Sequence, residues 1–229
     1  QVALYFGTKN YEQARMVIRQ AVLAVVVVGL VIMSAGLVIS GQLPIWLGAG
    51  NDILADAQAY LRIYLLAIPF QCAVTIFSAI FRCVGDTKAP MLLIIVSNIL
   101  NIVLNFLLIF PTRWVGGIVL PGAGWGVVGA GIATAISIGV SGIILVVILY
   151  RRKSEYQIHL SESYKPDKFI ILKAVNLGMP VALERITVSS GQIFMTRMVA
   201  GLGTLALASN HVATTAENLG YLPAGGISF

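Results

Sequence analysis

The stretch AVLAVVVVGLVIMSAGLVIS, residues 21–40, contains no charged side chain. A helix needs about 20 apolar residues to cross the hydrocarbon core of a bilayer, so this stretch predicts a transmembrane helix at about residues 18–40. Comparable apolar runs predict further spans at about residues 58–81, 89–111, 126–150, 180–200 and 205–229.

The composition also favours a membrane protein. The chain is 58% hydrophobic and 10% charged, with a mean hydropathy of +0.91, whereas a soluble domain is typically about 25% charged. The net charge of +6 sits in short segments between the apolar runs, which is typical of membrane orientation signals and does not indicate a nucleic-acid partner. The sequence therefore predicts an all-α polytopic helical bundle in a lipid bilayer.

Basic residues concentrate in alternate segments between the predicted spans, and cytoplasmic segments of membrane proteins carry the excess of Lys and Arg. We therefore expect the chain start and residues 151–168 to be cytoplasmic and residues 41–57 and 112–124 to face outward, an orientation that labelling of single cysteines can check. The outward segments hold only Arg113. The cytoplasmic segments hold Lys9, Arg15, Arg19, Arg82, Lys88, Arg151, Arg152, Lys153, Lys165, Lys168 and Lys173.

One long polar stretch, RRKSEYQIHLSESYKPDK at residues 151–168, divides the chain. It predicts a linker between a first group of four spans, residues 1–150, and a second group, residues 169–229. The second group is expected to open with a short amphipathic helix lying in the membrane interface. Gly178 and Pro180 are expected to end that helix and open the fifth span.

Polar residues inside spans are costly and are therefore candidates for function. Gln71 and Thr75 share one face of the second span with Ser78, and Asn98, Asn101 and Asn105 share one face of the third. Hydrogen bonding between helices explains these amides and hydroxyls as well as the lining of a water-filled cavity does, and the sequence leaves both interpretations open.

The fifth and sixth spans are the most polar. Arg185, Gln192 and Thr196 form one stripe with Ser189. Glu184 lies beside the stripe but near enough to the membrane surface to reach it by snorkelling. Glu217 is near the middle of the sixth span, where that is difficult. If the two spans turn near residues 201–203, Glu217 and Arg185 lie at similar depth, as a permanent ion pair or as a switchable coupling site.

The sequence shows no enzyme signature. Cys72 and Cys83 lie without a Cys-x-x-Cys spacing or a histidine partner, so neither a metal site nor a disulfide is predicted, and no cofactor is expected apart from a coupling ion.

Five stretches resemble the multidrug and toxic compound extrusion (MATE) family. FRCVGDTKAP, residues 81–90, is similar to the loop after that family's fourth helix, and SNILNIVLNFLLIF, residues 97–110, to its fifth helix. GWGVVGAGIATAIS, residues 124–137, resembles the opening of its sixth. LGMPVALE, residues 177–184, and the segment from residue 201 to 229 resemble its seventh and eighth.

The resemblance implies a fragment, covering about helices three to eight, of a two-lobed, twelve-helix antiporter that is functional as a monomer when complete. Such a protein exports organic cations or other amphipathic small molecules by alternating access, driven by Na⁺ or H⁺. Asn105 stands where many members carry an aspartate implicated in proton coupling, which weakens a proton route in the first lobe. Glu184 and Glu217 match acidic positions of one branch, and together with Arg185 they are the candidates for ion or proton coupling.

Two other functions remain open at this stage. A lipid-linked oligosaccharide flippase of the same superfamily would be expected to line its cavity with several cations, and only Arg62, Arg185 and Arg197 lie within predicted spans. A membrane scaffold that transports nothing has no use for the cost of buried carboxylates, which argues against it.

Overall fold

The computed structural model describes residues 1–48, 50, 53–115, 118–151 and 166–227. The chain divides into two compact units, residues 1–171 and 172–229, and each is treated by itself. Helices dominate both units. The elements are α1 (Val2–Gly7), α2 (Tyr11–Ile39), α3 (Leu43–Trp46), α4 (Leu54–Leu66), α5 (Ile68–Cys83), α6 (Lys88–Ile109), β1 (Pro111–Val115), β2 (Ile118–Ala123), α7 (Gly126–Arg151), α8 (Lys168–Ala200) and α9 (Thr204–Ile227).

The first four predicted spans are confirmed. Helices α2, α6 and α7 are each long and apolar enough to cross a membrane, and the pair α4–α5 qualifies as a fourth span that is bent by 47°. The bend falls beside Pro69, in the first turn of α5, because proline lacks an N–H and its ring clashes with the preceding turn. The protein is an integral membrane protein.

Local caps define where two of these helices begin. The side chain of Asn10 accepts a hydrogen bond of 3.2 Å from the backbone N–H of Gln13 at the start of α2. Asp86 accepts a bond of 3.2 Å from the N–H of Ala89 at the start of α6. Each cap satisfies a backbone donor that the first helical turn leaves without a partner.

The core of the first unit lies between α2, α5 and α7. Ile18, Phe77, Phe81, Leu145 and Leu149 are at most 1% exposed. Glycines bring the helix backbones close: a Cβ on Gly29 of α2 would lie 2.9 Å from Cα of Pro69, and one on Gly142 of α7 would lie 3.0 Å from Cβ of Phe70. The bent span is therefore held on two sides, as small residues permit in membrane bundles.

Strands β1 and β2 pair in a short two-stranded antiparallel sheet that the sequence did not predict. Pro111 pairs with Ala123 and Trp114 with Val119, with an irregularity after Pro111. The sequence pattern did not indicate strands here because Pro111 lies in β1 and Gly122 in β2. Both residue types are depleted in strands.

The prediction of a separate interfacial helix ending at Gly178 and Pro180 is wrong. Helix α8 runs unbroken from Lys168 to Ala200 with Pro180 inside it, because proline costs one backbone hydrogen bond but does not always end a helix. The predicted turn at residues 201–203 is confirmed between α8 and α9, where Gly203 has φ 105°. The antiparallel packing that would bring Glu217 and Arg185 together is not observed, since the described parts of α8 and α9 do not pack along each other.

Helices α8 and α9, with 33 and 24 residues, are long enough to span a bilayer. They do not reach the apolar character of the earlier spans, because charged and amide side chains interrupt both. The fifth and sixth spans thus stay predictions, as does the assignment of residues 1–150, 151–168 and 169–229 to a first lobe, a linker and a second lobe. Most of the linker, residues 152–165, lies outside the described residues.

Candidate functional site

A small cavity lies between α5, α6 and α7. It has a volume of about 70 Å³, which suffices for a few water molecules or a hydrated ion but not for a drug-sized molecule, whose pockets measure about 300–1,000 Å³. Gln71 and Asn98, two of the predicted cavity residues, line it with Ser97 and Ser141. The apolar part of its lining is Val74, Pro90, Leu93, Ile94, Ile138 and Leu145.

Gln71 lies near the start of α5, the second half of the bent span. Thr75, one turn further along α5, donates a hydrogen bond of 2.9 Å to the backbone carbonyl of Gln71, and the Gln71 amide nitrogen lies 3.5 Å from the Thr75 hydroxyl. Thr75 is exposed and does not line the cavity. Of the polar residues predicted to share one face of α5, Gln71, Thr75 and Ser78, only Gln71 lines the cavity.

The asparagine stripe of α6 serves two purposes. Asn98 is exposed at the cavity, whereas Asn101 and Asn105 are half-buried in a hydrogen-bonded chain. The Asn105 amide nitrogen donates to the Asn101 oxygen at 2.9 Å, and the Asn101 amide nitrogen donates to the Thr134 hydroxyl of α7 at 3.4 Å. Both interpretations that the sequence left open therefore apply. Asn98 lines a cavity, and Asn101 forms a hydrogen bond between helices.

One buried atom of this Asn101–Asn105 hydrogen-bonded network has no partner in the part of the molecule that the structure describes. The side-chain oxygen of Asn105 is buried and accepts no hydrogen bond. A buried acceptor without a donor costs about 1–3 kcal/mol, and water or a cation would relieve that cost. The environment of Asn105 is thus suited to a small polar ligand.

Helix α7 supplies a ladder of hydroxyls that sequence reasoning missed. Ser137 and Ser141 are buried, and their hydroxyls donate to the carbonyls of Ala133 and Ser137 at 2.8 and 2.9 Å. The Ser97 hydroxyl of α6 donates to the carbonyl of Ser137 at 3.2 Å. The spacing of Thr134, Ser137 and Ser141, at i, i+3 and i+7, places them on one helical face and was the available signal.

The candidates on α8 and α9 are not brought together. Glu184, Arg185, Gln192, Thr196 and Glu217 are all exposed, and within the described residues no ion pair joins Glu217 to Arg185. Their role in ion coupling therefore stays a prediction. The polar contacts near Glu217 are local to α9: the Thr215 hydroxyl donates to the carbonyl of His211 at 2.8 Å and lies 3.2 Å from His211 Nδ1.

The cavity is lined by neutral groups. Amide and hydroxyl oxygens are suitable ligands for hard cations such as Na⁺ and for water. No group of three or more His, Cys, Asp or Glu side chains that could hold a metal ion occurs in the described part of the chain. The arrangement can hold water or a weakly bound monovalent cation, but it offers no carboxylate to carry a proton.

Comparison with known proteins shows what the chain is similar to. The family model described as MatE matches residues 1–107. The chain is 28% identical over 228 residues to the "Probable multidrug resistance protein NorM" of Thermotoga maritima, covering 99% of this chain and 47% of that protein. The chain is thus similar to the MatE family over residues 1–107 and to the NorM protein over almost its whole length.

Two further comparisons agree with these matches. The "Multidrug export protein MepA" of Staphylococcus saprophyticus is 28% identical over 209 residues, which cover 91% of this chain and 44% of that protein. A structure described as the inward-facing conformation of a multidrug resistance MATE family transporter of the MOP superfamily matches with TM-score 0.82 and 24% identity, over 97% of this chain and 48% of that one. This chain thus spans about half the length of the proteins it matches.

Substitutions at Asn101 and Asn105 test whether the hydrogen bond between these two side chains stabilises the protein. Asn101→Leu is expected to destabilise the protein by about 1–2 kcal/mol, because it removes the acceptor of the buried Asn105 amide. Replacing both residues by Leu removes both polar groups and should recover part of that loss. Thermal unfolding in detergent measures these variants and the single variant Asn105→Leu. A double variant whose loss equals the sum of the two single losses would contradict the pairing.

Proposed function

We propose that the chain is part of an exporter that moves organic cations or other amphipathic small molecules out of the cytoplasm in exchange for Na⁺ or H⁺. The observation that carries this proposal is the alignment of 99% of the chain with the NorM protein. The MepA relative is likewise named for multidrug export. Alternating access between two lobes is proposed with it, since the fold is shared with a transporter described in an inward-facing conformation.

The geometry of the first unit supports transport of an ion or water more directly than binding of a drug. The α5–α6–α7 cavity is far smaller than a drug site, and its polar lining consists of amides and hydroxyls. We assign this cavity to water or a coupling cation in the first lobe. The substrate is then expected to bind elsewhere, in the space that the two lobes enclose when the protein is complete.

Proton or ion coupling is assigned to the second lobe. Glu184 and Glu217 are the acidic residues of α8 and α9 in the described range. A carboxylate in a membrane span can exchange a cation for a proton, which the neutral α6 asparagines cannot do at ordinary pH. Arg185 is proposed to balance the charge of Glu217 in the state without cation.

A flippase for lipid-linked oligosaccharides is less well supported. A pyrophosphate group requires cationic ligands, and none of the residues that line the α5–α6–α7 cavity is charged. Arg62 is exposed on α4, where its guanidinium lies 3.8 Å from the position of a Cβ on Gly41. It thus lies beside the end of α2 and is not among the cavity's lining residues.

The proposed location is the cytoplasmic membrane. The chain start and residues 151–168 are assigned to the cytoplasmic side, because these two segments are rich in basic residues. No nucleic acid and no cofactor other than the coupling ion enters the proposal.

Dye efflux tests this function. Cells that express the complete gene containing this sequence are loaded with a fluorescent cationic dye and energised with and without Na⁺, at two external pH values. Export should exceed that of cells with an empty vector and should depend on one of the two gradients. Efflux equal to that of the empty-vector cells under all four conditions would reject the exporter.

A further inference from the structure

Arg15 of α2 is a cation without a counter-charge among the residues that the structure describes. Its side chain is half-buried, and its Nε atom is buried and donates no hydrogen bond. A guanidinium in this position is unfavourable, because it has lost water without gaining a hydrogen bond or an ion pair. Arg15 is therefore suited to an anion that reaches it from outside the described part of the chain.

The described carboxylates at the same end of the first unit do not supply that anion. Glu12, one helical turn before Arg15, is exposed and forms no ion pair with it in the described residues. Asp86 accepts a hydrogen bond from the N–H of Ala89 at the start of α6. Asp167 accepts bonds from two N–H groups in the first turn of α8. These last two carboxylates thus cap helices.

Arg15 lies at the depth of a lipid headgroup. The predicted span of α2 begins at about residue 18, so Arg15 precedes it by less than one turn and Arg19 lies in its first turn. The two residues are about 6 Å apart along the helix axis and share one face. Arginine side chains near a membrane surface extend to the phosphate level, and the planar guanidinium donates paired hydrogen bonds to phosphate oxygens.

The same face of α2 continues into the membrane as an apolar stripe. Val22, Val26 and Leu30 follow Arg19 at intervals of three and four residues, which keeps them on one side of the helix. Val26 and Leu30 are 51% and 46% exposed, so the described helices do not cover them. Two cations at the interface, followed by an exposed apolar stripe, match an amphiphile with an anionic head and a hydrocarbon tail.

We propose that Arg15 and Arg19 bind the phosphate of an anionic phospholipid in the cytoplasmic leaflet, and that an acyl chain of this lipid lies along Val26 and Leu30. The phosphate supplies the counter-charge that Arg15 lacks within the described residues. The site is separate from the α5–α6–α7 cavity, none of whose lining residues is charged. The proposal goes beyond the exporter function and does not depend on it.

Native mass spectrometry of the complete protein tests the site. The protein is purified in detergent and titrated with phosphatidylglycerol or with phosphatidylcholine, and the apparent dissociation constant of each lipid is measured. The wild-type protein should bind phosphatidylglycerol more tightly than phosphatidylcholine, because the charge of Arg15 favours a net negative headgroup. Equal affinities, or a preference for phosphatidylcholine, would overturn the proposal.

Substitution assigns that preference to Arg15. Arg15→Gln should weaken the binding of phosphatidylglycerol about tenfold, as the loss of a charge-assisted hydrogen-bonded contact does. Arg82→Gln is the matched control, because Arg82 is an exposed arginine in the last turn of α5, on the same predicted side of the membrane. It should leave binding nearly unchanged, since an exposed cation contributes little. Equal losses in the two variants would show general charge attraction and reject the site.

Inorganic phosphate distinguishes a lipid from a free anion. Added to the wild-type protein at the concentration of the lipid, it should not displace phosphatidylglycerol, because it has no hydrocarbon to contact Val26 and Leu30. Displacement at equal concentration would show that the arginines bind phosphate without the acyl chain, and the assignment to a lipid would be wrong.

Arg15→Lys covers the case in which Arg15→Gln does not fold. Lysine retains the charge but not the planar pair of donors that matches a phosphate. Binding of phosphatidylglycerol should therefore weaken several-fold in Arg15→Lys and stay unchanged in Arg82→Lys. Equal binding by these two variants would overturn the role of Arg15.

Discussion

Glu217→Gln is expected to reduce gradient-driven efflux to the level of an empty vector while leaving the protein folded. Glu217 lies in the middle of α9 (Thr204–Ile227), and if α9 is the predicted sixth span, a carboxylate there is costly and a candidate for function by default. Glutamine keeps the size and polarity of the side chain but can neither bind a proton nor carry charge. Dye efflux under Na⁺ and pH gradients, in cells that express the complete gene, measures the effect.

Glu217→Asp is the matched control, because it retains a carboxylate and should keep part of the coupled efflux. Normal transport by Glu217→Gln, with an unchanged dependence on Na⁺ and pH, would show that this carboxylate is not the coupling group. The main site assignment in the second lobe would then be wrong.

The role of Arg185 can be separated from that of Glu217. If the two residues form a permanent ion pair, Glu217→Gln leaves a buried cation uncompensated and reduces the amount of folded protein. The double variant Glu217→Gln/Arg185→Gln should then restore folding. If the carboxylate alternates between Arg185 and an incoming cation, the single variant folds well and only coupling is lost. Membrane expression and efflux, measured together, distinguish the two cases.

Hydropathy predicted the first four spans because their apolar runs are long and continuous. It could not predict whether Pro180 would end a helix, since proline in a membrane helix is tolerated wherever neighbouring groups satisfy the freed carbonyl. The same limit applies to Pro69, which bends its span and does not end it. The choice between bend and break depends on neighbours such as Gly29, and the sequence does not show which neighbours a proline will have.

The sequence predicted the polar residues of the site on α6 but not the hydroxyls that α7 contributes. Three asparagines on one face of α6 are conspicuous, because amides are rare in apolar helices. Thr134, Ser137 and Ser141 were not chosen, because small hydroxyl residues among glycines and alanines are also typical of close packing. Which amide meets which hydroxyl depends on the register between α6 and α7, and tertiary packing alone sets that register.

The register is set partly by Gly129, whose backbone meets that of α6. A Cβ built on Gly129 would lie 2.6 Å from the carbonyl oxygen and 2.8 Å from the carbonyl carbon of Leu108. Both are backbone atoms, so no side chain can rotate away to make room. Any larger residue must push α6 and α7 apart, which would stretch the bond from Asn101 to Thr134 that is already 3.4 Å long.

Gly129→Ala is therefore expected to destabilise the protein by about 1–3 kcal/mol, as overpacking of a close contact does. Gly139→Ala is the matched control on the same helix, because a Cβ there would meet nothing within 4 Å. That change should be neutral or stabilising by up to about 1 kcal/mol, since alanine favours a helix more than glycine does. Thermal unfolding in detergent, followed by circular dichroism, measures both variants. Equal melting temperatures would show that α6 and α7 do not touch at Gly129, and the hydrogen bonds assigned between them would lose their structural basis.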